Sequence, residues 1–318
     1  PARGRACRRA HDRPTTRSTR RTHPNSTDSP DTTSPETTSP GTGSPRTDVP
    51  IVAPWPRDVL SVRGADTVAF LQGQLSADVE ALEVGQSATA LLLEPTGKLG
   101  WVLRVWRTDE RIVFLDTDAG QGAEVTARLQ RFLLRTDAAV EAHDWQCLAV
   151  RGPGSHALDI DGTGAVLAGV GLWPGVEGID LLGPQVSPPP GAREVEPAEL
   201  EAVRIRSGWP AHGSELADGV IPAEVGQWLI DSAVSFTKGC YVGQELTARI
   251  DSRGGNAPRR LVTVESQAAA TAGSELLAEG QVVGVVTSAV ADPATGRAVA
   301  MGFVKRSVED PTALSVGA

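Results

Sequence analysis

The first 48 residues are built from Arg, Thr, Ser and Pro with almost no apolar side chains. Such a segment cannot bury enough surface to offset the entropy of ordering it. Its Ser-Pro pairs at 29–30, 34–35, 39–40 and 44–45 favour extended, solvated backbone. The segment 1–48 is therefore expected to be disordered, and every folded element must come from Val49 onward. Hydrophobic residues make up 40% of the chain, enough for a packed core in the remainder.

Charge divides at the same place. The first 48 residues hold nine Arg and five acids, a net of +4, so with −9 for the whole chain the remainder carries −13. An acidic body opposes sequence-independent nucleic-acid binding, which depends on neutralising phosphates. The three cysteines, Cys7, Cys147 and Cys240, have no paired spacing. That argues against a disulfide framework and for a reducing, cytoplasmic setting. No stretch of about 20 apolar residues is present to span a bilayer.

Periodicity beyond Val49 predicts an α+β protein. A helix is expected over 65–72 with Asp66 as its N-cap. A strand pair, 101–106 and 112–115, should turn at Thr108–Glu110, and a helix over 124–135 should bury Val125, Leu129, Phe132 and Leu133. The run Pro188–Pro190 reads as a loop. After Pro258 the pattern becomes short strands at 261–264, 282–287 and 299–303, a small β-domain.

Several motifs fail on inspection. Thr96-Gly-Lys98 lacks the first glycine of a phosphate-binding loop, Leu92 standing in its place, and reads as a hairpin turn. Asp159–Gly164 opens like a calcium loop, but Val170 occupies the position of the bidentate Glu. The histidines have no metal-ligand spacing.

One segment survives: Lys238-Gly-Cys-Tyr-Val-Gly-Gln-Glu245. Gly239 and Gly243 permit tight turns, and 244–251 should form a helix stopped at Gly254-Gly255. Cys240 then lies ahead of a helix N-terminus, with Lys238 and Arg249 as nearby positive charges that favour the thiolate. The plainer alternative is a small, inert thiol buried in a Gly-rich turn.

The same eight residues resemble the signature of the folate-binding YgfZ family. Further blocks agree: Gly64-Ala-Asp66, Phe70 to Asp78, Pro95-Thr-Gly-Lys98, Arg204 to Pro210, Ile221-Pro-Ala-Glu224 and, after the signature, Arg253-Gly254. The resemblance covers roughly 57–305. It implies the fold of the glycine-cleavage T-protein: a discontinuous first domain (49–105 and 198–258), a ferredoxin-like domain (106–197), and a C-terminal β-barrel (259–318) cut short at Ala318. It also implies tetrahydrofolate or a derivative as ligand and iron–sulfur assembly proteins or client enzymes as partners.

By that resemblance Cys240 and Lys238 carry the chemistry. Asp78, Glu224, Gly239, Tyr241, Gly243, Gln244, Glu245 and Arg249 form the folate and motif set. Glu224 would accept paired hydrogen bonds from a pterin edge, although a loop residue or helix cap reads equally well. Asp78 reads otherwise as a helix-terminal residue. Two departures count against T-protein activity and one pterin contact: Gly100 and Trp101 stand where that enzyme carries an acidic pair, and Arg206 replaces a Glu common in the family. The expected role is support of iron–sulfur clusters, the alternatives being a one-carbon transferase in tRNA modification or a folate-binding scaffold.

Overall fold

The computed structural model describes residues 49–252, 257–308 and 313–317. The segment 1–48, the Gly254-Gly255 helix stop and the Arg253-Gly254 motif lie outside the described residues. The elements are β1 (Ile51–Pro54), β2 (Arg57–Arg63), α1 (Thr67–Gln74), β3 (Ser87–Leu93), β4 (Leu99–Asp109), β5 (Ile112–Asp118), α2 (Gly122–Gln130), β6 (Ala139–His143), β7 (Gln146–Arg151), β8 (Leu167–Val170), β9 (Gly178–Gly183) and β10 (Arg193–Glu194). There follow α3 (Pro197–Ser207), α4 (Pro222–Val225), α5 (Gln227–Ala233), α6 (Gln244–Asp251), β11 (Arg259–Ser266), β12 (Glu275–Ala278), β13 (Gln281–Ala291), β14 (Ala298–Lys305) and β15 (Ser315–Val316).

The strands form three five-stranded sheets among the described residues, ordered β3-β4-β5-β2-β6, β10-β1-β7-β9-β8 and β11-β14-β13-β12-β15. In the first sheet, α1 and α2 cover one face through Phe70, Leu71, Leu75, Val125 and Leu129. Its other face meets the second sheet through Val59, Trp106, Phe114, Cys147 and Leu182. Coverage on both faces explains why Ala90 to Leu93 are all fully buried and why β3 reads as an unbroken apolar run.

Charge is buried between those sheets too. Asp180 on β9 is fully buried and ion-paired with Arg104 of β4 and with Arg151 of β7 at 2.6 Å. Asp116 accepts from Arg57 Nε at 2.8 Å and from the Trp106 indole at 2.6 Å. Arg206, the residue that departs from the family pattern, bonds Glu265 at 2.6 Å and Asp292 at 2.7 Å, tying α3 to the third sheet.

Three sequence expectations change. The helix expected over 65–72 begins at Thr67 with Asp66 at its N-cap position, but the Asp66 carboxylate makes no capping hydrogen bond and accepts from the Asp137 N–H at 2.8 Å. The helix expected over 124–135 stops at Gln130, because the chain tightens into three-residue turns, Phe132 N–H to Leu129 O and Leu133 N–H to Gln130 O. Phe132 is left exposed instead of buried. Finally, the boundary at 105/106 falls inside β4, and β5 and β6 both pair with β2 of the N-terminal segment, so the sheets do not divide the chain there. The third sheet begins at Arg259.

Candidate functional site

The loop carrying Cys240 is strapped along the C-terminal end of α1. Ser235 N–H donates to Ser76 O at 2.9 Å and Val242 N–H to Gly73 O at 3.3 Å. Between them the Lys238 ammonium donates to three carbonyls, Gln72 O (2.7 Å), Leu75 O (2.6 Å) and Ala77 O (2.7 Å). The last carbonyls of a helix lack partners within it, and a cation there satisfies both their lone pairs and the helix dipole. All three ammonium N–H groups are thereby engaged. Nζ also sits 5.0 Å from the centre of the Tyr241 ring. Burial pushes this ammonium down to about 8, while Asp78 and Glu80 pull in the opposite direction. Lys238, expected as a chemical partner of the thiol, holds the loop in place.

The loop presents its thiol outward. Cys240 is exposed, as are Gly239 and Phe236, so the reading of an inert buried thiol does not apply to it. It does apply to Cys147, which is 5% exposed with its thiol pushed well above the ordinary value. Burial is the main cause; Asp180 and Asp116 add to it, and Arg57 and Arg104 oppose it. Iodoacetamide applied to a native Cys7→Ser variant should therefore add one group, on Cys240, with Cys147 reacting only in denaturant. Alkylation of Cys147 in the native protein would contradict this packing.

The two motif glycines differ. Gly239 has open space where a Cβ would stand and no left-handed backbone, so the tight turn expected of it is absent. Gly243 has φ +83°, and a Cβ there would lie 2.4 Å from Glu94 O and 2.8 Å from Leu93 Cβ. Across the contact Gly97 also has φ +83°, with a Cβ position 2.4 Å from Leu246 Cβ and 3.0 Å from Gly243 O. The β3–β4 hairpin turn and the start of α6 thus interlock glycine to glycine.

The rest of the segment supports that joint. Gln244 Oε1 accepts from the Tyr241 N–H at 3.2 Å. Tyr241 is 8% exposed, and burial, with Glu245 adding to it, raises its phenol to about 12. Glu245 lies in the first turn of α6, where the dipole favours an acid. Arg249 lies exposed in the last turn of α6, about 7 Å along the axis from its start.

Neither predicted folate carboxylate is free. Asp78 Oδ1 accepts from Gln72 Nε2 at 2.9 Å and from the Ala81 N–H at 3.2 Å, closing the turn after α1. Glu224 is 4% exposed; it accepts from Arg259 Nε at 3.0 Å and from the Ile221 N–H at 3.2 Å. This joins α4 to β11.

Beside the interlocked turn lies a cleft of about 530 Å³ whose lining includes Glu94, Lys98, Trp101, Glu124, His212 and Asp218. Trp101 is 8% exposed and its indole donates to Gln121 Oε1 at 3.1 Å, forming a fixed wall. Behind Glu94, the buried Arg128 donates to Gln74 Oε1 at 3.2 Å and to Leu93 O at 3.3 Å. Sequence reasoning passed over Glu94 and Arg128. The available signal for Glu94 was its place immediately before the Pro95-Thr-Gly-Lys98 turn. Among the described residues no group of three or more His, Cys, Asp or Glu could hold a metal ion, and no helix is long and apolar enough to cross a membrane.

Comparison with known proteins agrees with this architecture. The family described as glycine cleavage T-protein C-terminal barrel domain matches residues 259–317. An aminomethyltransferase of Rubrobacter xylanophilus is 28% identical over 284 residues, 79% of this chain and 74% of the relative. A tRNA-modifying protein YgfZ of Sodalis glossinidius is 26% identical over 227 residues, 62% of this chain and 66% of the relative. The crystal structure of glycine cleavage system aminomethyltransferase T from Bartonella henselae superposes with a TM-score of 0.66 at 20% identity, covering 85% of this chain and 82% of that one. The T-protein-like α+β fold, the barrel-domain match and the YgfZ relatives support a T-protein-like protein similar to the YgfZ family.

Proposed function

We propose that the protein binds a folate in the cleft beside the β3–β4 turn and supports synthesis or repair of iron–sulfur clusters through the Cys240 thiol. The observation that carries the reading is the pairing of a fixed loop with an exposed nucleophile: Lys238 saturates three carbonyls while Cys240 faces outward.

The cleft suits a folate by size and by donor set. At about 530 Å³ it falls within the usual range for small-molecule sites. Glu94, Glu124 and Asp218 offer carboxylates to ring N–H groups, Lys98 offers charge to an anionic tail, and Trp101 supplies an apolar wall. When bound, a tetrahydrofolate carries one-carbon units; this chain's residues bind and orient it. Glu224 and Asp78 serve the framework through the partners described above, outside the lining of this cleft.

A cluster is cargo in this reading. Such clusters take about four thiolates, so Cys240 contributes one transient ligand and client or assembly proteins contribute the others. The names of the YgfZ relatives raise tRNA modification as the alternative. The net charge of −13 beyond residue 48 weighs against a nucleic-acid docking face, and a transferase lacks the acids that Gly100 and Trp101 replace.

Titration of wild type and Cys240→Ala with tetrahydrofolate tests the first half. Both should bind with affinities within about twofold, since the thiol lies on a loop held by Lys238. Absence of binding by the wild type would overturn the folate reading. The second half is tested by complementation with the same variant.

A further inference from the structure

We propose that Glu94 is the anchoring carboxylate of the cleft, accepting hydrogen bonds from the N–H edge of a planar, donor-rich heteroaromatic ring. The inference rests on the folate reading and assigns a role to a residue outside the sequence motifs.

Glu94 differs from the other acids lining the cleft. Its backbone is fixed on both sides: its N–H donates to Lys98 O at 2.9 Å and its carbonyl accepts from Gly97 N–H at 2.8 Å. Gly243 packs against that carbonyl, so the α6 joint holds the residue from a third direction. The carboxylate itself makes no hydrogen bond or ion pair among the described residues, whereas Glu224, Asp78, Asp116 and Asp180 are all engaged. Glu94 is half-buried while Glu124 and Asp218 are exposed. A charged hydrogen bond is worth more where water is partly excluded.

Gly100 lies directly beside this carboxylate: a Cβ built there would stand 3.6 Å from Glu94 Oε1, an ordinary contact distance, and 2.9 Å from Leu92 O. Trp101, next along β4, provides the wall of the same cleft. Glu94 thus places an acid beside position 100 from across the hairpin. A carboxylate can accept two parallel N–H bonds from one ring edge, which fixes orientation as well as affinity.

Tetrahydrofolate titration of wild type, Glu94→Gln, Glu94→Asp, Glu124→Gln and Asp218→Asn tests this. Glu94→Gln keeps the shape and turns one acceptor into a donor facing the ring, so affinity should fall at least about thirtyfold, as expected for loss of a charged hydrogen bond. Glu94→Asp should retain part of the binding, and the two exposed acids, Glu124 and Asp218, should each cost markedly less than Glu94→Gln. Melting temperatures of all four variants should match wild type. Wild-type binding with Glu94→Gln unchanged would overturn the anchor and leave the folate reading intact. No binding by wild type would overturn both.

Discussion

Asp180→Ala is expected to lower the stability of the folded chain by about 3–5 kcal/mol, seen as a large fall in denaturant midpoint at unchanged slope. Asp180 is 0% exposed and is the shared partner of Arg104 and Arg151, each 1% exposed. Removing the carboxylate leaves the buried Arg151 without its ion-pair partner and Arg104 with only Asp116, at 4.0 Å. The cost comes from that orphaning; replacing the whole cluster by apolar residues of similar volume is often neutral. Burial alone would raise the Asp180 carboxyl, but Arg151 and Arg104 outweigh it and hold it below its usual value. Its contribution is therefore full above the unfolded carboxylate value of about 3.9 and is lost as pH falls through the lower folded one. A loss under about 1 kcal/mol would show that water already reaches these groups.

Gly243→Ala should cost about 3 kcal/mol and loosen the thiol loop at the same time. A left-handed backbone disfavours any Cβ by roughly 1–2 kcal/mol. The added methyl would also meet Glu94 O at 2.4 Å, and overpacking of this kind costs about 1–3 kcal/mol. Neither neighbour is a flexible side-chain end, so α6 must shift away from the hairpin. Hydrogen exchange should report faster opening at Val242 N–H and Ser235 N–H, the two amides that bind the end of α1. Gly239→Ala, in open space with an ordinary backbone, is the contrasting control and should be close to neutral. Equal costs at the two glycines would contradict the interlock.

Much of the fold was legible because local and tertiary demands coincide. The helix expected over 244–251 is α6, residue for residue, since its left-handed Gly243 also marks its start. The Trp101–Trp106 and Ile112–Leu115 strands pair as read, with Trp106 opposite Phe114. The end of α2 was misread because Phe132 and Leu133 continue a helical spacing after the backbone has left the helix. Arg135, at φ 61°, completes that exit, and Leu134 points outward at 83% exposed. Periodicity records apolar spacing, and it carries no signal for a three-residue turn.

The site was legible as segments and illegible as contacts. Phe70–Asp78, Pro95–Lys98 and Lys238–Glu245 were each singled out, and the structure joins all three through Lys238, Gly97 and Gly243. Which carboxylate stays free could not be read, because it depends on partners remote in sequence. Arg259 occupies Glu224 across 35 positions, whereas among the described residues the Glu94 carboxylate has no hydrogen bond or ion pair. The same holds for Lys238, whose three acceptors are over 160 positions away.

The central claim is that an exposed Cys240 thiol, held on a fixed loop, does the work of the site. It is tested most directly in a bacterial strain deleted for its own YgfZ protein, by assaying an iron–sulfur enzyme after complementation with wild type or Cys240→Ala at matched protein levels. Restored activity with wild type, and near-background activity with Cys240→Ala despite unchanged tetrahydrofolate binding, is the predicted result. Full restoration by Cys240→Ala would contradict it and reduce the protein to a folate-binding scaffold.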